Sequence, residues 1–383
     1  YTKFFDAEFD QLVRSRIKGD RAGLDSTEED KVIDLYKQLG NKGFKGYLSE
    51  YHRYVAYVHA DGDGIGKVIG AMGGSADLVS LSGRLTEFGV KTSTALGGVR
   101  FSGNDILDHG WGAVPIFIGG DDLLALSPVV SRALGESPET VFSLVDLIDK
   151  IFAHTVSNGL DIPTLSFGIC ISYVKYPMRE ANSNAHELLT SVKSDRYKLR
   201  NRLHIKLIKH SGSSFEAVYY RGKASHIADP NSLPFASNVS DPKVELSVWE
   251  RTLLLIEEYG VPRYIFSKNK AGSNTFLNSI IAEVREQRTL LVKICSDVSK
   301  IKAWFENNFD EPNHYGYRET LFYELAKYLV AGYHQAQFLA REEPTADPPY
   351  ESDKQIDQAF DEFLDCFYMT LRFIQFVRGH DEP

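Results

Sequence analysis

Two short apolar runs separated by only four residues constrain the fold of this chain more than any other feature. The runs are residues 114–118 and 123–126, and Gly119-Gly120-Asp121-Asp122 stands between them. Apolar runs of this length around a glycine-containing turn are typical of a β-hairpin. The hairpin would carry two adjacent carboxylates at its tip. Taken alone, the same residues also fit an ordinary turn, since Gly and Asp are favoured turn residues.

The segments around this hairpin complete a βαββαβ order. We predict, in chain order, a strand at 54–60, a helix at 76–96, the hairpin, a helix at about 141–152 and a strand at 164–173. The helices show apolar residues at spacings of three and four, and the strands are β-branched, aromatic or alternating. A further helix at 179–193 and strand-like runs at 203–208 and 217–220 follow. The pattern predicts an α+β fold with a ferredoxin-like palm.

The remainder of the chain is predicted to be helical. A loop rich in Pro, Ser and Asn at 229–242 is followed by apolar periodicity that predicts four helices, at 244–259, 275–307, 317–340 and 353–377. We therefore expect three parts: a helical linker or the end of an upstream domain at 1–51, the palm at 52–228, and an all-α domain at 229–383. Aromatic residues of the third helix, at near-core spacing, are expected in the core; they are Phe322, Tyr323, Tyr328, Tyr333 and Phe338.

Composition excludes several classes of protein. A chain of 383 residues that is 43% hydrophobic and 25% charged is typical of a globular protein of two or three domains. The net charge of -9 argues against a surface that tracks nucleic acid over its whole extent. Cys170, Cys295 and Cys366 are far apart without CxxC spacing, which favours buried thiols in a reducing, cytoplasmic compartment. No apolar run has the length of a membrane span, so we expect no membrane partner.

The predicted order of strands brings distant carboxylates together. In a βαββαβ sheet the first strand lies beside the third and antiparallel to it, so Asp61 should share an edge with Asp121 and Asp122. Crowded carboxylates repel unless a cation compensates them, and hard oxygen ligands suit Mg²⁺ or Mn²⁺. We expect two such ions and a nucleotidyl transfer at this edge. Gly119 and Gly120 would let phosphates approach the backbone closely.

Other readings of the glycine-rich segment that starts at Asp61 fail on particular positions. A calcium loop requires an oxygen ligand where Ile65 stands and a glutamate where Met72 stands. A dinucleotide fingerprint would place acidic residues against the pyrophosphate. A Walker A loop requires Ser or Thr after Lys67, where Val68 stands.

Four motifs occur together and in order. They are Ala60-Asp61-Gly62-Asp63-Gly64-Ile65-Gly66-Lys67, Leu85-Thr86-Glu87-Phe88, Phe117-Ile118-Gly119-Gly120-Asp121-Asp122-Leu123-Leu124-Ala125, and Thr164-Leu165-Ser166-Phe167-Gly168-Ile169 with the following Lys175, Pro177 and helix to Lys193. From residue 54 to about 221 the chain resembles the second palm domain of the large subunit of type III CRISPR effector complexes, with the Cmr-type (III-B) branch the most similar.

The resemblance implies a function and a set of site residues. Such palms polymerise ATP into cyclic oligoadenylate second messengers when the complex binds target RNA, and some join ATP to S-adenosylmethionine instead. The implied partners are other subunits of the ribonucleoprotein complex, guide RNA and target RNA. Asp61, Asp121 and Asp122 would be the catalytic and metal-binding residues. Candidate nucleotide-binding residues are Gly62, Asp63, Gly64, Gly119, Gly120, Ser166, Lys193 and Arg200, with Asn201 and Gly168 nearby.

The chain also departs from the family pattern. The HD nuclease domain, first palm and zinc-binding cysteines of the family are not visible, so we expect either the C-terminal part of a larger subunit or a reduced variant, and we assign no DNA cleavage. His380-Asp381 reads as a solvated tail. A diguanylate cyclase would have GG[DE]EF, from which Asp122-Leu123 departs. A catalytically silent scaffold on the guide RNA is a further alternative, against which the intact carboxylates argue.

Overall fold

The computed structural model describes eleven ranges of the chain: 50–97, 100–102, 105–108, 111–131, 139–157, 163–194, 200–222, 246–260, 274–309, 317–342 and 352–379. Residues Glu50–Pro383 belong to one compact unit. Its strands are β1 (Tyr54–Asp63), β2 (Arg100–Ser102), β3 (Asp105–Asp108), β4 (Val114–Gly119), β5 (Asp122–Pro128), β6 (Val130–Ser131), β7 (Glu139–Thr140), β8 (Thr164–Tyr173), β9 (Arg202–Ile208) and β10 (Ser214–Tyr220). Its α-helices are α1 (Ile65–Gly70), α2 (Ser75–Leu96), α3 (Val141–Phe152), α4 (Met178–Lys193), α5 (Val248–Tyr259), α6 (Asn274–Glu286), α7 (Arg288–Ile294), α8 (Val298–Phe309), α9 (Tyr317–Glu342) and α10 (Ser352–Arg378).

A six-stranded sheet organises the palm. Its order is β10-β9-β8-β1-β5-β4, and β1 pairs antiparallel with both β5 and β8. The four strands β8-β1-β5-β4 thus have the ferredoxin-like order that the sequence predicts, and β9 and β10 extend the sheet beyond β8. The predicted α+β palm with helices after it is confirmed. Strands β8 and β9 pair in parallel, with α4 as the crossover between them.

Helices cover the two faces of this sheet differently. On one face α2 packs against α3, with Phe88 and Phe152 in edge-to-face contact. On the opposite face α4 packs over β8, β9 and β1. Its close approach depends on Gly168, because a Cβ there would lie 2.2 Å from the backbone oxygen of Ala185. Gly168 therefore serves the packing of α4 onto the sheet.

Buried hydroxyl groups join the palm to the C-terminal helices. The hydroxyl of Tyr219, on β10, donates to the backbone oxygen of Cys366 at 3.0 Å and lies 3.0 Å from Thr370 Oγ1. Thr370 also lies 3.1 Å from the hydroxyl of Tyr328, which contacts Thr252 at 2.8 Å. Buried polar groups need such partners, so this network fixes α5, α9 and α10 on the edge of the sheet.

The prediction of one helix over 275–307 is wrong. The structure has three helices there, with breaks at Gln287 and around Asp297. The Asp297 carboxylate accepts a hydrogen bond from the backbone N–H of Ser299 at 2.9 Å, which is how an aspartate starts a new helix. Helix α1 and the β2-β3 hairpin are elements that the sequence analysis did not predict.

Several other expectations can be compared with the structure. All three cysteines are buried and free, as predicted, and Phe322 and Tyr328 are buried in the core. The linker up to residue 49, the boundary at 228–229 and His380-Asp381 lie outside the described residues. No helix within the described ranges is both long and apolar enough to cross a membrane.

We predict that His204 makes the protein sensitive to acid. Burial lowers the pKa of His204 from 6.5 to about 4, so the folded protein keeps this ring neutral where the unfolded chain protonates it. Stability is therefore present above pH ~6.5 and is lost as the pH falls towards ~4, by roughly 3 kcal/mol. Urea unfolding of His204→Gln across this interval should show a smaller loss than wild type. The same change at the exposed His186 is the control, and equal effects of the two changes would contradict the role of His204.

Candidate active site

The acidic residues of β1 and of the β4-β5 turn meet at the end of the sheet where β1 ends and β5 begins. We call this end of the sheet, with Asp61, Asp121 and Asp122, the acidic edge. Strand β1 pairs with β5 as far as Ala60 opposite Leu123, so Asp61 and Asp122 come next on adjacent strands. Gly119 pairs with Asp122, which leaves Gly120 and Asp121 as a two-residue turn. Gly120 has a φ of 65°, a conformation that glycine adopts without strain. The predicted convergence is therefore present.

Asp121 lies directly against the backbone of Gly62. A Cβ on residue 62 would be 2.3 Å from Asp121 Oδ2 and 2.7 Å from Asp121 Cβ. Residue 62 must therefore be glycine if the turn is to approach β1 this closely. Burial raises the pKa of Asp121, and the charges of Asp122 and Asp63 raise it further. Asp121 is thus a carboxylate whose negative charge is incompletely compensated in this structure.

Lys193 brings a positive charge to the same edge. Its ammonium group forms an ion pair with Asp61 and donates to the backbone oxygen of Gly62 at 3.3 Å. Burial and the nearby Arg200 lower the pKa of Lys193 to about 8, so the group is still protonated at neutral pH. The last turn of α4 therefore supplies the cation that neutralises Asp61.

Asp63 differs from its neighbours because it is buried. It is 1% exposed, and its Oδ2 accepts hydrogen bonds from Thr164 Oγ1 at 3.0 Å, Ser166 Oγ at 2.7 Å and the backbone N–H of Asn201 at 3.0 Å. The guanidinium of Arg200 is 3.9 Å from Oδ1. These contacts tie the end of β1 to the start of β8 and to the residues before β9. The sequence analysis did not predict that Asp63 has this structural role. The hydroxyl side chains at alternate positions of β8, Thr164 and Ser166, were the pattern that could have indicated it.

The remaining predicted nucleotide-binding residues occupy different positions. Ser166 is 1% exposed and is engaged by Asp63, which gives it a supporting role rather than a ligand-facing surface. Gly64 has a φ of 81° and precedes α1. Gly119 lies under the ring of Phe117, since a Cβ at residue 119 would be 2.6 Å from Phe117 Cζ. Arg200 is exposed on the side of Asp63.

The donor chemistry of the edge suits a hard divalent ion. Asp61, Asp121 and Asp122 offer only carboxylate oxygens, which Mg²⁺ and Mn²⁺ prefer, and the raised pKa of Asp121 indicates negative charge that a cation would stabilise. Within the described part of the chain, however, no three His, Cys, Asp or Glu side chains are arranged as a metal-binding group. Metal binding would therefore require Asp61 to release Lys193, while Asp63 would remain engaged in its hydrogen bonds.

Residues 54–204 match the family described as Cas10/Cmr2, second palm domain. This segment is similar to the second palm domain of that family. The match includes β1, the β4-β5 hairpin, β8 and α4, and so it contains every element that contributes a carboxylate or Lys193 to the edge. No curated protein matches the chain.

Solved structures resemble the chain at low identity. A Csm1-Csm4 cassette in complex with cA4 is 17% identical over 84% of this chain and 37% of that chain, with a TM-score of 0.36. A Csm1-Csm4 cassette in complex with one ATP is 15% identical over 80% of this chain and 36% of that one, with a TM-score of 0.32. A Csm1-Csm4 subcomplex of the type III-A CRISPR-Csm interference complex is 15% identical over 83% of this chain and 36% of that chain, with a TM-score of 0.33. The chain thus spans little more than a third of the length of these chains.

We predict that Asp63 and Asp61 differ in their effect on stability. Asp63→Ala leaves three buried or half-buried donors without their acceptor and should lower the free energy of unfolding by roughly 3 kcal/mol or more. Asp61→Ala removes a partly exposed ion pair and should change stability by less than about 1 kcal/mol. Chemical denaturation measures both. Asp63→Asn, which keeps one acceptor oxygen, should recover part of the loss; equal effects of the two alanine variants would contradict the structural role of Asp63.

Proposed function

We propose that this chain is the palm-bearing part of the large subunit of a type III CRISPR effector complex and that it catalyses metal-dependent nucleotidyl transfer from ATP. One observation carries the proposal: in a Cas10/Cmr2 palm, Gly62 lets Asp121 lie against β1, so that three carboxylates share one edge. A turn with no function would have no reason to accumulate uncompensated negative charge there.

The proposed reaction joins two nucleotides. The oxygen of a ribose 3′-hydroxyl attacks the α-phosphorus of ATP, a new phosphorus-oxygen bond forms, and the bond from that phosphorus to the oxygen bridging to the β-phosphate breaks. Pyrophosphate leaves, and the hydroxyl proton is released. Repetition and a final ring closure give a cyclic oligoadenylate, the product that the family resemblance implies.

The residues of the acidic edge would have different roles in this reaction. Asp61, Asp121 and Asp122 would hold two Mg²⁺ or Mn²⁺ ions, which when bound lower the pKa of the attacking hydroxyl and stabilise charge on the leaving group. Lys193, released from Asp61, would be free to contact phosphate oxygens, and Arg200 lies near enough to assist. Gly120, where a Cβ would meet no atom within 4 Å, leaves the backbone of the turn accessible to phosphates, while Gly119 is covered by the ring of Phe117.

The proposed partners follow from the same resemblance. They are other subunits of the ribonucleoprotein complex, together with the guide RNA and the target RNA that the complex holds. Activation by target RNA and the Cmr-type assignment belong to this proposal. So does the alternative product in which ATP is joined to S-adenosylmethionine, which the experiment below distinguishes.

Removal of the turn carboxylates should abolish product without unfolding the protein. The assembled complex, with guide and matching target RNA, is incubated with ATP and Mg²⁺ or Mn²⁺, with and without S-adenosylmethionine, and products are measured by mass spectrometry. Asp121→Ala combined with Asp122→Ala should reduce product by at least about a hundredfold, because both proposed metal sites lose a ligand. The matched control is Glu257→Ala combined with Glu258→Ala, an exposed adjacent acidic pair on α5.

The products decide among the candidate functions. Masses at multiples of AMP less water establish an oligoadenylate cyclase, and an adduct that requires S-adenosylmethionine establishes conjugation. Absence of product, with target RNA bound and metal supplied, would favour the silent scaffold. Equal loss of product in the Glu257/Glu258 control would contradict the catalytic assignment of the turn.

Divalent ions should stabilise the protein through the same carboxylates. Binding to the folded state alone raises the melting temperature, so Mg²⁺ or Mn²⁺ should raise Tm in the wild type by a few degrees. In the absence of metal, Asp121→Asn should melt at the same temperature as the wild type or higher, because ionised Asp121 is held at a raised pKa. The double variant Asp121→Asn, Asp122→Asn should show no rise of Tm when Mg²⁺ or Mn²⁺ is added. An unchanged response would place the metal elsewhere.

A further inference from the structure

A cavity of about 350 Å³ lies between the palm and the C-terminal helices. Its floor is the face of β9 and β10 that carries Arg202, His204 and Val218, of which the last two are directly opposed. The last turn of α4 forms one wall through Ser191, and α9 and α10 form the other. A volume of this size holds a small organic molecule. None of the carboxylates of the acidic edge lines this cavity, so it is separate from the candidate active site.

Carboxylates outnumber ammonium and guanidinium groups in the lining of this cavity. Among the lining residues that the structure describes, Glu216, Glu362 and Asp365 are acidic, and Arg202 brings the one guanidinium group. Lys206, next to the cavity, forms an ion pair with Glu216 at 2.8 Å, and the charge of Glu362 acts on Arg202. These two carboxylates therefore have a cationic side chain of the protein close to them.

The negative charge of Asp365 is compensated less completely. Partial burial raises the pKa of Asp365; Arg285 opposes this shift without cancelling it, and the charges of Asp361 and Glu216 add to it. Asp365 is exposed, so its carboxylate lies at the open side of the cavity. A cationic ligand that enters the cavity would stabilise this carboxylate in its ionised form.

A buried amide group lines the closed side of the cavity. Gln335 is 3% exposed, and its Oε1 atom accepts no hydrogen bond from any residue that the structure describes. A buried acceptor without a donor costs free energy, so a ligand that brings an N–H group to Gln335 would remove this cost. Leu339 and Phe363 also line the cavity and give it an apolar part. The lining therefore combines acceptors for N–H groups with apolar surface.

We propose that this cavity is a binding site for a small aliphatic diamine or polyamine. One ammonium group would pair with Asp365 at the open side, and another would donate hydrogen bonds to Gln335 Oε1 and to the carboxylate of Glu362. The methylene groups between them would cover Leu339 and Phe363, which a metal ion would leave in contact with water. The inference does not rest on the proposed function, because no residue of the acidic edge takes part.

Equilibrium binding of putrescine, a diamine, tests this site. The full chain is titrated by isothermal titration calorimetry in about 0.15 M NaCl, which screens weak attraction to the acidic surface of the protein. The wild type should bind putrescine saturably. Asp365→Asn and Gln335→Leu should each weaken binding about tenfold or more, because each removes an acceptor for an ammonium group. Asp357→Asn is the matched control, at an exposed aspartate of α10 that does not line the cavity, and should bind as the wild type does.

Two further measurements separate this site from general attraction to negative charge. Tetramethylammonium has a positive charge but no N–H donor, and it should bind at least about tenfold more weakly than putrescine. The variant with Asp121→Ala and Asp122→Ala should bind putrescine with wild-type affinity. Loss of binding in that variant would assign the diamine to the acidic edge and overturn the proposal.

Several outcomes would contradict the proposed diamine site. Absence of putrescine binding by the wild type overturns it, as does equal affinity for tetramethylammonium, since charge alone would then suffice. Wild-type affinity in Asp365→Asn or in folded Gln335→Leu also overturns it. Asp365 is exposed, so its variant decides the matter if Gln335→Leu fails to fold. These measurements involve neither ATP nor product, so their failure leaves the proposed function standing.

Discussion

The position of β1 between β5 and β8 is the constraint on which the rest of the palm depends. Because β1 pairs antiparallel with both neighbours, its last residues lie beside the β4-β5 turn on one side and beside the start of β8 on the other. The same register places Asp61 beside Lys193 of α4 and Gly62 against Asp121 of the turn. It also places Asp63 within hydrogen-bonding distance of Thr164 and Ser166 of β8. A shift of one residue would exchange the two faces of β1 and separate these groups.

Asp61 and Asp63 lie on the same face of β1, and their different roles come from their different surroundings. Asp61 lies at the open edge and is 30% exposed, whereas Asp63 is enclosed by Thr164, Ser166 and Asn201. Three hydrogen-bond donors hold the Oδ2 atom of Asp63 in place within the protein. Asp61 lies next to other carboxylates and has Lys193 as its partner instead.

The sequence predicts the regular elements well where local pattern and tertiary structure agree. Strand β8 is observed at Thr164–Tyr173, as the alternation and β-branched residues indicate, and the hairpin and central helices also agree. The break near Asp297 escaped prediction because apolar periodicity continues across it, while capping by its side chain interrupts the helix. The contacts of Gly62 and Gly168 could not be predicted either, since each depends on a segment distant in the chain.

Three locally unfavourable features of the palm lie at or near its acidic edge. Asn201 has a φ of 61°, Asp121 is ionised with difficulty, and Phe117 exposes an apolar ring. Each feature lowers stability on its own, and none is required by the sheet, whose interior strands β1 and β8 are packed with buried apolar residues. Such features persist where binding or catalysis requires them. Their occurrence beside Asp61, Asp121 and Lys193 supports a functional role for this edge on grounds that are independent of the family match.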